Sequence, residues 1–408
     1  MSETPTYALG KGDQFQALSV LIGVNFVDML GSLIVIPLLP FYALRFDATP
    51  EMVGWLIASF SVAQLVAAPI WGRVSDRYGR RPALLIGLFG SAAAFLVFGL
   101  ATSLPLLFLS RIVQGMGGGT TGVAQAYVSD TVGREHRARA LGWLSAATNA
   151  GVIIGPGIAS LSAHWGRQAP GFVASGLCFI NVIAAWFWLP ESRPASARKA
   201  PAQRKPVWHA AWTVLWNPAG RPERLIWIYG VGMLAFTLLT SILALWLHAK
   251  FSVNERTIGY FFMYYGLLSF VMRSVFLGPV VDRIGEIGAL RVGTILLAVG
   301  MLLYPLVSTV WMMALVIPFV PIGTALMFPT VTSLLSHAVD SAELGTMMGV
   351  AQTFAGIARV LAPIAGTIAF QRLGISAPFI AGGLIVLLVS WATFRHVQAA
   401  PPVAESAV

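Results

Sequence analysis

Charge is what this sequence has least of. Asp, Glu, Lys and Arg make up 10% of its 408 residues, against about 25% in a soluble protein, so water is not its principal solvent. Cysteine is reduced to Cys178, inside an apolar run, which excludes a disulfide framework or a cysteine metal site within one chain. The six histidines stand at no metal-ligand spacing, and the sequence shows no phosphate-binding loop, ATPase signature or hydrolase elbow. A membrane-embedded enzyme would need a nucleophile with its base, or a metal cluster, within the apolar runs, and the sequence offers neither. The longest interruption of the apolar pattern is about 33 residues, too short for an appended sensor or scaffold domain. The expectation is a non-enzymatic chain, without a cofactor, that draws its energy from a gradient.

The apolar content is correspondingly large, at 57% of residues with 13 Trp and 24 Phe. Crossing a bilayer core of ~30 Å takes about 20 helical residues. Twelve apolar runs of that order recur, near 16–44, 52–72, 82–101, 104–129, 139–163, 170–189, 224–248, 257–281, 289–308, 311–336, 344–370 and 376–394. They predict an all-α integral membrane protein of twelve transmembrane helices. A barrel is disfavoured because the runs are continuously apolar and contain Gly and Pro, where a barrel needs short alternating strands. The first run is too long for a cleaved signal and lacks a small-residue cleavage pattern, so it is expected to stay as the first span.

The net charge of +10 invites a nucleic-acid reading, which the placement of the charges answers. Twelve spans put both termini on one side of the membrane. That side holds 18 lysines and arginines, against five on the other: Arg45, Arg167, Lys250, Arg256 and Arg372. By the positive-inside rule both termini are cytoplasmic. The basicity is a topology signal, with membrane lipid and not nucleic acid as the partner.

From about 190 to 223 the sequence turns Pro-, Ala- and Arg-rich, "PESRPASARKAPAQRKPVW", which marks a cytoplasmic linker. It divides an N-terminal six-helix bundle, 1–189, from a C-terminal one, 224–408, that ends in a short tail. The halves echo each other. "GRVSDRYGRR" returns as "GPVVDRIGEI", matching Gly72, Asp76, Arg77 and Gly79 with Gly278, Asp282, Arg283 and Gly285 at an offset of 206, while Gly142 and Pro156 match Gly349 and Pro363 at 207. The pattern predicts two pseudo-symmetric bundles with a site at the repeat interface near the midplane.

These residues carry a resemblance. The whole chain resembles the major facilitator superfamily, and within it the twelve-span drug:proton antiporters that include the tetracycline exporters. "GRVSDRYGRR" matches the superfamily's loop signature between spans two and three. "RIVQGMGGG", Arg111 to Gly119, is similar to the span-four pattern R-x-x-Q-G-x-G. "GWLSAATNAGVIIGPGIAS", Gly142 to Ser160, is similar to the antiporter signature of span five, G-x8-G-x3-G-P-x-x-G-G. "VDMLGSLIVIPLLP", Val27 to Pro40, resembles the first span of tetracycline-type exporters. The chain departs from the family where the last two glycines of the span-five pattern are Ala159 and Ser160, and where the second-half loop motif has Glu286 and Ile287 in place of arginines. The resemblance implies the major facilitator fold, a bacterial inner membrane, a monomer and alternating access. It also implies that Gly72, Asp76, Arg77, Gly79, Arg80, Arg81, Asp282 and Arg283 form a gating latch that stabilises the outward-open state.

Asp28 is the acid placed deep in a span, about twelve residues or ~18 Å from the start of the first helix. A carboxylate there costs ~2.5 kcal/mol or more unless neutralised or paired. Asn25, Asp28 and Ser32 fall on one helical face, which is expected to line a cavity. The functional reading is a carboxyl that binds and releases a proton as access alternates, and the alternative is a static structural pair. Arg111, about seven residues or ~10 Å from the outer end of span four, is expected to approach Asp28 and couple to it, or else to be a structural anchor. Arg273 and Arg359 also lie in spans, read as tied to backbone carbonyls and helix ends, with anionic substrates as the alternative. Asp130 either pairs with an arginine of the loop motif or is a solvated cap.

Gly142, Gly151, Gly155, Pro156 and Gly157 permit close approach and bending of span five, read as an interdomain hinge and proton seal against ordinary packing. Candidate substrate contacts are Asn25, Gln64, Gln125, Asn149, Phe236, Tyr264, Tyr265, Phe328, Gln352, Phe354 and Arg359. The function expected is proton-coupled efflux of a small lipophilic or amphipathic compound. The alternative is a proton-coupled transporter of a sugar, amino acid or organic acid.

Overall fold

A computed structural model describes residues 11–192, 207–216 and 220–396. Among them the backbone is helical almost throughout, with no strand, as lipid requires of a chain whose N–H and C=O groups must be satisfied within each segment. The helices are α1 Lys11–Val35, α2 Leu39–Leu44, α3 Pro50–Tyr78, α4 Arg80–Gly99, α5 Leu104–Gly118, α6 Thr121–Thr131, α7 Arg134–Ser162, α8 Ala169–Trp188, α9 Val207–Trp216, α10 Arg221–Phe251, α11 Ile258–Val271, α12 Leu277–Leu303, α13 Val310–Val316, α14 Phe319–Ala338, α15 Ser341–Arg372 and α16 Ala377–His396. Starts follow capping chemistry. The Thr49 hydroxyl accepts from the Met52 N–H at 3.3 Å ahead of Pro50 and Glu51, filling one orphan donor of the first turn.

Nine segments among the described residues are long and apolar enough to cross a membrane. The expected eighth and ninth runs fall in one of these, Ile258–Leu306, which is bent at Gly285. The expected fourth run is broken into α5 and α6 by the turn at Gly119 and Thr120, and the twelfth appears as the shorter apolar helix Ala377–Trp391. Of the expected linker, 193–206 and 217–219 lie outside the described residues, as does the tail 397–408. Between them the apolar stretch Val207–Trp216 forms α9, with Trp212 and Trp216 exposed.

The chain divides into two compact units. The first is Met1–Arg204 with Ala244–Gly266, the second Lys205–Leu243 with Leu267–Val408. The first is cored by Leu21 and Val24 of α1, Leu84 and Leu88 of α4, Tyr127 and Val128 of α6, and Leu144 of α7. Lipid tails are as apolar as these side chains, so helix contact in a membrane depends on shape and close approach. Gly117 of α5 shows the consequence: a Cβ there would lie 2.7 Å from the Gly87 carbonyl of α4. In the second unit Gly323 and Gly293 repeat this contact 206 residues later, again at 2.7 Å. The internal repeat therefore extends to a packed glycine pair that the loop motifs alone do not reveal.

Candidate functional site

The membrane-embedded acid is built on α1. Its side chain, partly buried, receives a hydrogen bond from the Ser91 hydroxyl of α4. Beside it lies a cavity of about 20 Å³ lined by Asn25, Asp28, Thr120, Thr121 and apolar side chains, enough for one water molecule. The expected polar stripe does not share one environment. Asn25 donates to Thr148 Oγ1 at 2.5 Å and the Leu144 carbonyl at 3.3 Å on α7, whereas Ser32 accepts from Gln114 Nε2 of α5 at 3.1 Å.

That last bond corrects the expected Asp28–Arg111 approach. With α1 and α5 antiparallel, the Ser32–Gln114 rung places Asp28 one turn to one side and Arg111 one turn to the other. Their backbone positions are thus about 10 Å apart along the helix axes at 1.5 Å per residue. Arg111 is 2% exposed, lies over the Phe98 ring at 5.9 Å, and has no hydrogen-bond partner for Nε or Nη2 among the described residues. The other two arginines are not deeply buried. Arg273 is exposed on the π-turn Met272–Phe276, and Arg359 is partly buried on α15.

At the end of α3 the loop motif closes around Arg80, 8% exposed. Its guanidinium reaches Asp76 at 2.8 Å, Asp130 at 2.9 Å and the Ser75 hydroxyl at 2.7 Å, so Asp130 takes the paired reading. Asp76 pairs with Arg80 within its own motif. Gly79 turns the chain at φ 111°, ψ 162°, a region essentially closed to other residues. A Cβ there would sit 2.3 Å from the Glu191 carboxylate, which accepts from the N–H groups of Arg80 at 2.9 Å and Arg81 at 3.2 Å. An acid thereby caps the start of α4, where free N–H groups and the helix dipole favour negative charge. Arg81 donates to the Trp186 carbonyl and lies over that ring at 5.9 Å. Arg77 is exposed, against Tyr78. Glu191 was not foreseen, although an acid closing the last span of the first half was a signal for it. Gly72, Gly278 and Gly142 have no neighbour within 4 Å of where a Cβ would stand, so the close approach expected of Gly142 is not seen.

In span five the packing is real at two positions. A Cβ on Gly155 would come within 2.7 Å of Leu33 and one on Gly151 within 3.0 Å of the Leu30 nitrogen, both on α1. The next face meets α11, where Gly259 lies against the Pro156 carbonyl and Gly157 near Met263. Ser160, standing where the family pattern has glycine, accepts from the Gly259 N–H at 2.7 Å and donates to the Glu255 carbonyl at 3.2 Å. It thereby satisfies an orphan donor in the first turn of α11. Arg45 pairs with Glu255 and stacks on Tyr42 at 5.2 Å, and Tyr42 donates to the Arg167 carbonyl. This cluster, wholly within the first unit, was missed because its partners are some 120 to 210 residues apart.

In the second unit Phe236 and Phe328 meet at 6.1 Å, Tyr229 lies 5.4 Å from Phe328 and accepts from Gln352 Nε2 at 3.3 Å, and Trp227 meets Phe354 at 5.3 Å. Four candidates thus cluster around Tyr229 and Trp227, which the sequence reading did not single out. Gln64 is committed to the Gly118 carbonyl at 3.1 Å; Gln125 is exposed, Asn149 partly buried, and Tyr264 and Tyr265 lie in the first unit.

A family model described as Major Facilitator Superfamily matches residues 21–275 and 225–407. The chain belongs to that superfamily. It is 26% identical over 384 residues to "Multidrug resistance protein 2" of Bacillus subtilis (strain 168), covering 90% of this chain and 92% of the relative. It is 27% identical over 356 residues to "Tetracycline resistance protein, class C" of Escherichia coli, covering 85% and 88%. Its fold is similar to the crystal structure of the human organic anion transporter MFSD10, at a TM-score of 0.68 and 20% identity, covering 93% of this chain and 99% of that one. As a major facilitator it is an integral, multi-pass membrane protein.

Proposed function

We propose that this major facilitator exports a small lipophilic or amphipathic drug in exchange for protons, by alternating access. The observation that carries the reading is Asp28, an acid inside a span held by Ser91 beside a cavity with room for one water, since an intramembrane carboxyl marks a proton site by default. Relatives named for multidrug and tetracycline resistance over 85–90% of the chain support the substrate class. No cofactor takes part. The proton gradient supplies the energy, and the monomer sits in a bacterial inner membrane with both termini cytoplasmic. A membrane potential delivers about 2.3 kcal/mol per 100 mV for each charge moved, against ~1.4 kcal/mol for a tenfold gradient of a neutral solute.

In everted vesicles at fixed potential, Asp28→Asn should therefore lower the uphill accumulation ratio of a neutral drug by roughly fortyfold per 100 mV, while downhill exchange persists. Undiminished uphill transport by the variant removes Asp28 from the coupling. Arg111 favours a second reading, export of an organic anion, through its unpaired buried donors; proton uptake triggered by an organic acid and not by any drug would select it.

A further inference from the structure

An apolar groove of about 430 Å³ runs between α3 and α5, entirely within the first unit. Trp55, Val62, Val66 and Ile70 line one wall, Phe108 and Met116 the other. The single polar lining residue, Ser59, donates its hydroxyl to the Leu56 carbonyl at 2.8 Å, so nothing in the groove addresses a polar solute. Sites for drug-sized ligands carry a few placed polar groups that fix orientation, and this one has none.

The α3 wall is a helical stripe. Positions 55, 59, 62, 66 and 70 succeed one another at intervals of three or four residues, and positions 73 and 77 continue the same face. Those two are Arg73 and Arg77, both exposed. From Trp55 to Ile70 the groove extends about 22 Å at 1.5 Å per residue, within the ~30 Å hydrocarbon layer. Val66 is 60% exposed, Ile70 50% and Met116 55%, so the groove is open along its side. It is therefore a slot of acyl-chain dimensions, apolar for its whole length and positively charged only at the end that the topology places in the cytoplasmic leaflet.

We propose that this groove binds one anionic phospholipid of the inner leaflet, an acyl chain lying along α3 and α5 and the phosphate held by Arg73 and Arg77. Charge complementarity at one end and the absence of any polar anchor along the slot select a lipid over the transported solute. Basic positions at the cytoplasmic ends of transmembrane helices are where anionic headgroups bind.

The test is native mass spectrometry of the full-length protein in detergent, supplied with equal phosphatidylglycerol and phosphatidylcholine. The wild type should retain one phosphatidylglycerol in preference to phosphatidylcholine. Arg73→Gln should reduce that preference about fivefold, the equivalent of the ~1 kcal/mol one arginine contributes near an anionic surface. Val66→Trp, which fills the slot, should lose retention of both lipids, with thermal unfolding in detergent confirming that the variant is folded. Arg283→Gln, at the second-half counterpart of Arg77, should leave the lipid preference unchanged. Excess inorganic phosphate should not displace the lipid, because the chain and not the headgroup occupies the slot. Equal retention of the two lipids by the wild type, unchanged retention by Val66→Trp, or displacement by inorganic phosphate would overturn the proposal. Displacement by ethidium would also overturn it, reassigning the groove to solute.

Discussion

The two copies of the loop motif share a backbone and differ in chemistry. In the first, Gly79 at φ 111° precedes Arg80, which is nearly buried between Asp76 and Asp130, with Glu191 capping α4. In the second, Gly285 at φ 72° precedes Glu286, which accepts from Ser333 at 2.5 Å and lies 3.5 Å from His337 Nδ1. Arg80 and Glu286 correspond at the repeat offset of 206, and Asp130 and His337 at 207. The cross-helix pair is therefore kept with its polarity reversed. One half sets a guanidinium between two carboxylates; the other sets a single carboxylate against an imidazole and a hydroxyl. The loss of basic residues from the second copy is thus not a loss of the contact. It is a replacement of a tight, capped junction by a looser and more exposed one.

The glycines give the widest separation between the copies. Both backbones sit where only glycine is comfortable, at a cost to any other residue of about 1–3 kcal/mol. Gly79→Ala adds an overlap with the Glu191 carboxylate, whereas no atom lies within 4 Å of a Cβ on Gly285. Gly79→Ala should therefore lower the unfolding temperature in detergent more than Gly285→Ala does, and only the former should release the α4 cap. Suppression of the Gly79→Ala defect by Glu191→Ala would locate the excess in that overlap; equal effects in the two glycine variants would show that Glu191 gives way freely.

Next come the charged residues themselves. Arg80→Ala removes the cation that Asp76 and Asp130, two partly exposed carboxylates, share, at a cost of about 2 kcal/mol, and should abolish drug export in a growth assay. Glu286→Ala removes a part-buried bond from Ser333 and a contact with the exposed His337, together worth about 1 kcal/mol, and should leave export near the wild-type rate. Comparable losses from both substitutions would make the halves equal partners in gating and remove the asymmetry drawn above.

What the sequence made legible were features whose signal is periodic or repeated: the apolar runs, the loop motif and its echo; for Asp130 it left a pair and a solvated cap equally open. What escaped it depended on register. Depths measured from helix starts put Asp28 and Arg111 at one level, but the first segment, Gln16–Leu44, is 29 residues long and overshoots the bilayer, so its start is a poor origin. The Ser32–Gln114 bond sets the true register. Glu191 was hidden because its role arises only when the end of α8 returns to Gly79, held there by the Tyr127 hydroxyl on the Pro190 carbonyl at 2.7 Å. The Glu286–His337 pair was within reach: the offset that matched the glycines also matches these two positions, had the comparison allowed a reversal of sign.

That reversal supplies the smallest and most specific effect. If Glu286 and His337 occupy the places of Arg80 and Asp130, Glu286→Arg alone should lose its contact with Ser333 and set a cation beside an imidazole. Glu286→Arg with His337→Asp should restore a pair of first-half polarity. A double-mutant cycle on unfolding in detergent should show a favourable coupling of about 0.5–1 kcal/mol, small because the His337 side chain is 68% exposed. A coupling near zero would mean that the two side chains are neighbours without attraction, and that in the second half the junction depends on the Glu286–Ser333 bond alone.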